Sequence, residues 1–117
     1  MVLLIVDDNA QMRRQLRKMI GSESDKIYEC SDGSEALAAY QRHRPDWVLM
    51  DIEMARLDGI SAIREIITSE PLARIVIVTQ HDEPSLRAAA RTAGAVAYLL
   101  KDDLLAIRSF IQRETMN

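Results

Sequence analysis

Short apolar runs alternate along the chain with longer segments whose apolar residues recur at helical spacing. The runs predict strands, most of them buried on both faces. They are Val2–Val6, Lys26–Cys30, Trp47–Met50, Ile75–Val78 and Val96–Leu100. Lys26–Cys30 is the least apolar of the five, so it is the weakest strand prediction.

The segments between the runs have the spacing of amphipathic helices. They are Met12–Ile20, Ser34–Arg42, Ile60–Ile67, Pro84–Ala93 and a last helix that carries Leu104, Leu105, Ile107, Phe110 and Ile111. Gly21 and Gly94 are suited to end helices, and Asp102 and Asp103 are suited to begin the last one. Five strands alternating with five helices predict an α/β fold, a doubly wound parallel sheet covered on both faces.

Length and composition narrow the classes of protein. The chain has 117 residues, so we expect one domain over residues 1–117, with no effector domain in this chain. A net charge of −3 argues against a general nucleic-acid binder. One cysteine and two histidines leave no disulfide and no zinc motif. The apolar opening is too short for a signal peptide, and no later run could span a bilayer, which predicts a cytoplasmic protein without a membrane association.

Polar residues stand directly after the predicted strands, where the carboxyl ends of a parallel sheet form the usual ligand site. In chain order they are Asp7, Asp8, Asp51, Thr79 and Lys101. Three carboxylates in one pocket repel each other unless a cation lies among them. Mg²⁺ prefers such oxygen ligands, and a backbone carbonyl just beyond Asp51 could complete part of its shell. A hydroxyl and a lysine beside the metal suit an anion, and the set as a whole suits phosphoryl transfer.

The chain resembles the receiver domains of two-component response regulators, the family of the chemotaxis response regulator, which is a known doubly wound example. The matching stretches are LLIVDDNAQMRRQL, ECSDGSEAL, PDWVLMDIEMARLDG, IVIVTQHDE and GAVAYLLKD. They occur in the family's order and cover essentially the whole chain. The resemblance implies the strand order 2-1-3-4-5.

The resemblance also implies the roles of the acidic residues. Asp51 would be the phospho-acceptor and would take its phosphoryl group from the phosphohistidine of a sensor histidine kinase or phosphotransfer domain. Asp8, Asp51 and the backbone carbonyl of Glu53 would bind Mg²⁺ or Mn²⁺, and Asp7 would help through a water molecule. The protein would then be a signalling switch and not an enzyme, apart from its own phosphorylation and slow autodephosphorylation.

The remaining implied roles concern the anion and the output. Thr79 and Lys101 would hold the phosphoryl oxygens, and Tyr98 matches the family's aromatic switch position. Phosphorylation would remodel the face formed by the fourth helix, fifth strand and fifth helix, for partner binding or homodimer formation. The alternative for Tyr98 is a plain core residue. Glu53 and His81 occupy positions that tune the phosphoryl lifetime, and the alternative is that both side chains face solvent.

The chain departs from the common receiver pattern at two positions. Ala55 stands where most receivers have proline. Asp102 stands where many have a proline in a cis peptide, so the Lys101–Asp102 geometry stays open. GAVAYLLKD is most similar to the receivers of LuxR-type transcription regulators, although the approach to Leu104 is shorter here.

Other functions remain as alternatives. The chain could be the receiver part of a LuxR-type regulator whose DNA-binding domain is absent here, or a receiver-like interaction module that no longer accepts phosphate. A dehalogenase-type enzyme would want Asp-x-Asp after the first strand, where this chain has Asp7, Asp8 and Asn9. A flavodoxin-like cofactor binder would need a hydroxyl-rich loop there, and none is present.

Overall fold

The computed structural model of the protein describes residues 1–116. Its strands are β1 (Val2–Val6), β2 (Lys26–Cys30), β3 (Trp47–Met50), β4 (Ile75–Thr79) and β5 (Ala97–Leu100). Its helices are α1 (Ala10–Ile20), α2 (Ala36–His43), α3 (Gly59–Ser69), α4 (Pro84–Ala93) and α5 (Leu104–Met116).

The five strands form one parallel sheet in the order β2-β1-β3-β4-β5. This confirms the doubly wound α/β fold and the predicted strand order. The chain reverses its direction of travel across the sheet between β1 and β3, which is the point where such sheets bind ligands.

The sheet separates two hydrophobic cores, and alternate strand residues supply one core each. Leu4 and Val6 of β1 face the core that α2, α3 and α4 cover. Leu3 and Ile5 face the second core, which α1 and α5 cover. Burial on both faces explains why the central strands are almost unbroken runs of apolar residues.

Most predicted boundaries agree with the structure to within one or two residues. The second helix differs because a short 3-10 helix, Gly33–Glu35, precedes α2, and the Asp32 side chain caps it by accepting from the Ser34 amide. β5 begins at Ala97 and not at Val96, and all its residues are half-buried because it is an edge strand. Within the described residues, no helix is long and apolar enough to cross a bilayer.

Candidate functional site

The register of the sheet brings the predicted site residues to one edge. The Asp51 amide donates to the Val6 carbonyl at 2.9 Å, which fixes the end of β3 beside the end of β1, where Asp7 follows. The Lys101 amide donates to the Thr79 carbonyl at 2.8 Å, which fixes β5 beside β4 in the same way. The polar residues that follow the strands therefore converge, as the sequence predicts.

Three carboxylates form the centre of the site. One oxygen each from Asp7, Asp8 and Asp51 can be chosen so that all lie within 4.8 Å of one another. Asp7 and Asp51 are buried, at 1% and 5% exposure, whereas Asp8 is exposed. The Lys101 amino group lies 2.9 Å from Asp7 Oδ2 and 3.4 Å from Asp51 Oδ2. One ammonium group thus bridges the two buried carboxylates.

The burial and the crowding of charge change the pKa values of this group. Burial, together with the negative charge of Asp7, raises the pKa of Asp51 to about 6, even though Lys101 opposes the shift. Burial alone would lower the pKa of Lys101, but its hydrogen bond to Asp7 and the charge of Asp51 raise it above its ordinary value. Lys101 is therefore positively charged at neutral pH. The ionised form of Asp51 stays disfavoured by burial and by Asp7, because the charge of Lys101 offsets these effects only in part.

This arrangement fits a hard divalent cation. Carboxylate oxygens are the ligands that Mg²⁺ and Mn²⁺ prefer, and the exposed Asp8 leaves a path to solvent for the waters that Mg²⁺ keeps. Burial and the charge of Asp7 raise the pKa of Asp51, so a cation beside it would favour its ionised form. The donor set and its charge both match a divalent ion.

The backbone after Asp51 is tightly held against α3. The Ile52 amide donates to Asp51 Oδ1 at 2.9 Å, and the Gly59 amide donates to the Ile52 carbonyl at 2.8 Å. A Cβ atom at Gly59 would lie only 1.8 Å from the Asp51 carbonyl oxygen. Only glycine permits this approach, so Gly59 helps to place Asp51.

Thr79 and Tyr98 are connected through the backbone of His81. Thr79 is fully buried, and its Oγ1 accepts from the His81 amide at 3.3 Å. The Tyr98 hydroxyl donates to the His81 carbonyl at 2.7 Å. The Arg87 guanidinium lies 4.6 Å from the centre of the Tyr98 ring. Tyr98 is half-buried, packs against the core that α2, α3 and α4 cover, and is also bonded to the loop that follows β4.

Glu53 and His81 contact each other. His81 Nε2 lies 2.7 Å from Glu53 Oε1, although the Glu53 side chain is 68% exposed. His81 Nδ1 is 3.8 Å from Glu83 Oε1. The Glu53 side chain thus faces solvent over most of its surface, whereas His81 is half-buried, and their contact joins the loop after β3 to the loop after β4.

Two other residues at this edge, Arg13 and Asp32, make hydrogen bonds that the sequence did not predict. Arg13 Nη1 donates to the Asp7 carbonyl at 2.6 Å, and Arg13 Nε contacts Glu29 Oε1 at 2.8 Å. The Asp32 side chain, which caps the 3-10 helix, accepts from the amides of Arg56 and Leu57 as well. In the sequence, the Asp-Gly pair at positions 32 and 33 indicates only a turn.

The structure shows the geometry of the Lys101–Asp102 peptide and of the connection from β5 to α5. The Lys101–Asp102 peptide bond is trans, as are the other peptide bonds of the described chain. α5 begins at Leu104, so the connection from Lys101 is short. Asp103 Oδ1 accepts from the Ala106 amide at 3.0 Å, as expected of a residue that begins the last helix.

Known proteins are similar to this chain in sequence and in fold. The family model of the response regulator receiver domain matches residues 3–112. The transcriptional regulatory protein PdtaR of Mycobacterium tuberculosis is 43% identical over 100 residues, which are 85% of this chain and 48% of that protein. The chain thus spans about half the length of the curated relatives it matches.

Solved structures agree. A LuxR-family two-component response regulator from Aurantimonas sp. SI85-9A1 has 30% identity and a TM-score of 0.89, covering 96% of this chain and 82% of that one. CheY in the CheX-CheY-BeF3-Mg²⁺ complex from Borrelia burgdorferi has 27% identity and a TM-score of 0.83, covering 94% and 88%. These matches confirm the receiver resemblance. The chain belongs to the response regulator receiver domain family.

Proposed function

We propose that Asp51 is the residue that accepts the phosphoryl group in this receiver domain. The observation that carries the proposal is the position of Asp51, buried beside Asp7 and Lys101 at the carboxyl edge of the sheet. Lys101 lies 3.4 Å from the Asp51 carboxylate, and the acidic neighbours of Asp51 could hold a divalent ion whose charge would let an anion approach. The family match supports this role for the chain.

In the proposed reaction, an Asp51 oxygen forms a bond to phosphorus while the bond between phosphorus and the donor histidine nitrogen breaks. Lys101 offsets the negative charge on the phosphoryl oxygens, which its shared position between Asp7 and Asp51 allows. Thr79 Oγ1 accepts from the His81 amide, so its own hydroxyl hydrogen can be donated to a phosphoryl oxygen. Positioning and charge neutralisation supply most of the catalysis in such transfers.

Asp8, Asp51 and the Glu53 carbonyl would hold Mg²⁺ or Mn²⁺, with Asp7 contributing through a water molecule. When bound, the ion supplies positive charge that draws the phosphoryl oxygens into the acidic cluster. The cluster of Asp7, Asp8 and Asp51 supports this assignment. CheY of Borrelia burgdorferi, crystallised with Mg²⁺, is a structural neighbour.

The proposed output surface is formed by α4, β5 and α5. Tyr98, which is bonded to His81 and stacked by Arg87, connects this surface to Thr79. A displacement of Thr79 toward the phosphoryl group would strain this chain of contacts and favour another Tyr98 conformation. Leu105 of α5 and Val96, which directly precedes β5, are exposed apolar residues, and they suit contact with a partner or a second copy of the domain.

The family and its relatives support a proposal for the phosphoryl donor and the output. The proposed donor is a sensor histidine kinase or phosphotransfer domain, and the proposed location is the cytoplasm. PdtaR of Mycobacterium tuberculosis is a transcriptional regulatory protein, so we propose transcription control as the output. The domain is proposed to act as a switch, with no chemistry beyond its own phosphorylation and dephosphorylation.

Labelling by acetyl phosphate tests the acceptor. Wild type should take up phosphoryl groups with Mg²⁺ and not with EDTA, and Asp51→Asn should take up none. Asp58→Asn is the matched control, because Asp58 caps α3 in the same connection and is not part of the cluster. Label that persists in Asp51→Asn, or that is lost equally in Asp58→Asn, would contradict the assignment.

A further inference from the structure

The carboxylate of Asp32 joins two loops that are distant in the sequence. Asp32 follows β2, is 9% exposed, and accepts from the Ser34 amide at 2.8 Å, which caps the short 3-10 helix. The same carboxylate accepts from the amides of Arg56 at 3.0 Å and Leu57 at 3.2 Å. It therefore holds the connection between β3 and α3 as well as its own turn.

That connection carries the backbone on which the metal site depends. Residues 51–58 form no helix or strand, and no proline stiffens them, since position 55 is alanine. The Ile52 and Gly59 amides are bonded within the connection and to Asp51. The Arg56 and Leu57 amides, near the end of the connection, are bonded to Asp32 instead, and they lie three and four residues after Glu53.

The packing beside Asp32 reinforces the same junction. A Cβ atom at Gly33 would lie 2.3 Å from the Leu57 carbonyl oxygen, so the turn and the connection are in direct backbone contact. The hydrogen bonds, led by that of the Arg56 amide, hold the pKa of Asp32 well below its usual range. A carboxylate that stays ionised accepts more strongly than a neutral group would.

We propose that Asp32 is a positioning residue for the divalent-ion site: it fixes the β3–α3 connection so that the Glu53 carbonyl is presented to the ion. The inference rests on the proposed function, in which that carbonyl is a metal ligand. Groups that orient metal ligands without touching the metal affect its affinity by about 10- to 100-fold when they are lost. Here Asp32 does so for a loop in which no proline sets the backbone.

Titration of the full chain with MgCl₂, followed by amide NMR shifts, tests the proposal. We expect Asp32→Ala to weaken Mg²⁺ binding at least ~10-fold. Asp32→Asn keeps one carbonyl acceptor and should fall between Ala and wild type. The Arg56 and Leu57 amides should also exchange with solvent faster in both variants without Mg²⁺.

Asp25→Ala is the matched control. The Asp25 side chain is also 9% exposed and accepts from the N-terminal amine and the Ser22 amide, each at 2.9 Å, near the opposite end of the sheet. It should lower the melting temperature and leave the Mg²⁺ Kd within about twofold of wild type.

The outcomes are distinguishable. Asp32 variants that lose stability but keep the wild-type Mg²⁺ Kd would overturn the inference and leave the proposed metal site standing. A wild type that does not bind Mg²⁺ at all would overturn both. If Asp32→Ala does not fold, the Kd of Asp32→Asn decides.

Discussion

The amino group of Lys101 lies 3.4 Å from the Asp51 carboxylate and closer still, at 2.9 Å, to that of Asp7. The lysine is therefore shared between two buried carboxylates before any phosphoryl group arrives. With Asp8 in the same cluster, three carboxylates face one ammonium group. Because of this imbalance, we expect changes of charge at the site to alter the free energy of unfolding by measurable amounts.

Removing the lysine should expose that imbalance. In Lys101→Gln, the carboxylates of Asp7 and Asp51 lose their cation, and removing one partner of a buried pair is costly. Because Lys101 is 19% exposed, we expect about 2 kcal/mol of lost stability in EDTA at pH 7, somewhat less than a fully buried pair costs. Urea denaturation measures this. Lys26→Gln, an exposed change on β2, is the control, and an equal loss there would contradict the account.

The stability of the metal-free protein should depend on pH through Asp51. Its folded pKa of about 6 lies above the ordinary 3.8, so the folded state binds the proton more tightly than the unfolded state. The stability from this group is fully present below pH 3.8 and is lost as the pH rises through about 6. Asp51→Asn should therefore be more stable than wild type at pH 7, by up to ~3 kcal/mol.

Urea denaturation in EDTA at several pH values between 4 and 8 measures this difference. The advantage of Asp51→Asn should grow with pH and level off above the folded pKa. Measuring the difference between the two proteins removes the contributions of Asp25, Glu29, Asp32 and Asp58, whose pKa values are lowered. A difference that does not change with pH would show that Asp51 has an ordinary pKa.

Under the proposed metal assignment, Mg²⁺ should stabilise the folded protein, because the acidic cluster is assembled only in the folded state. The melting temperature should rise with millimolar MgCl₂ in wild type and much less in Asp8→Asn. Glu23→Gln is a suitable control, because Glu23 is an exposed acid outside the cluster. An equal rise in wild type and Asp8→Asn would mean that the ion acts elsewhere.

Glu53 and His81 should set the phosphoryl lifetime as a pair. Their contact at 2.7 Å links the two loops beside Asp51, so either Glu53→Asn or His81→Ala breaks the same link. We expect both variants to shorten the half-life of the phosphorylated protein several-fold, and the double variant to add little to either. Decay of label after removal of acetyl phosphate measures this. Unchanged half-lives, or fully additive effects, would refute the pairing.

Much of the fold could be predicted because it depends on local pattern. Burial of the central strands on both faces leaves continuous apolar runs such as Ile75–Val78, and parallel pairing then places the residues after them at one edge. Asp7, Asp51 and Lys101 could be predicted to converge for this reason. The boundary at Ser34 could not, because a side-chain cap from Asp32 favours a 3-10 turn there.

The contacts that could not be predicted from the sequence join residues of different loops, which the spacing of apolar residues does not relate to each other. The Asp32 carboxylate accepts from the Arg56 amide, 24 residues away. An aspartate is common in a turn whether or not it makes such a contact, so its presence does not predict the contact. Glu53 and His81 meet only because β3 and β4 are neighbours. Such pairings follow from the geometry of the loops, and residue type alone does not encode that geometry.

The central claim is that Asp51 carries the phosphoryl group, and chemical mapping tests it most directly. Sodium borohydride reduces an aspartyl phosphate to homoserine, which survives proteolysis and is identified by mass spectrometry. After treatment with acetyl phosphate and Mg²⁺, the account predicts homoserine at position 51 of the wild type, and none when EDTA is present. Homoserine at another aspartate, or a phosphorylated protein with none at position 51, would contradict it.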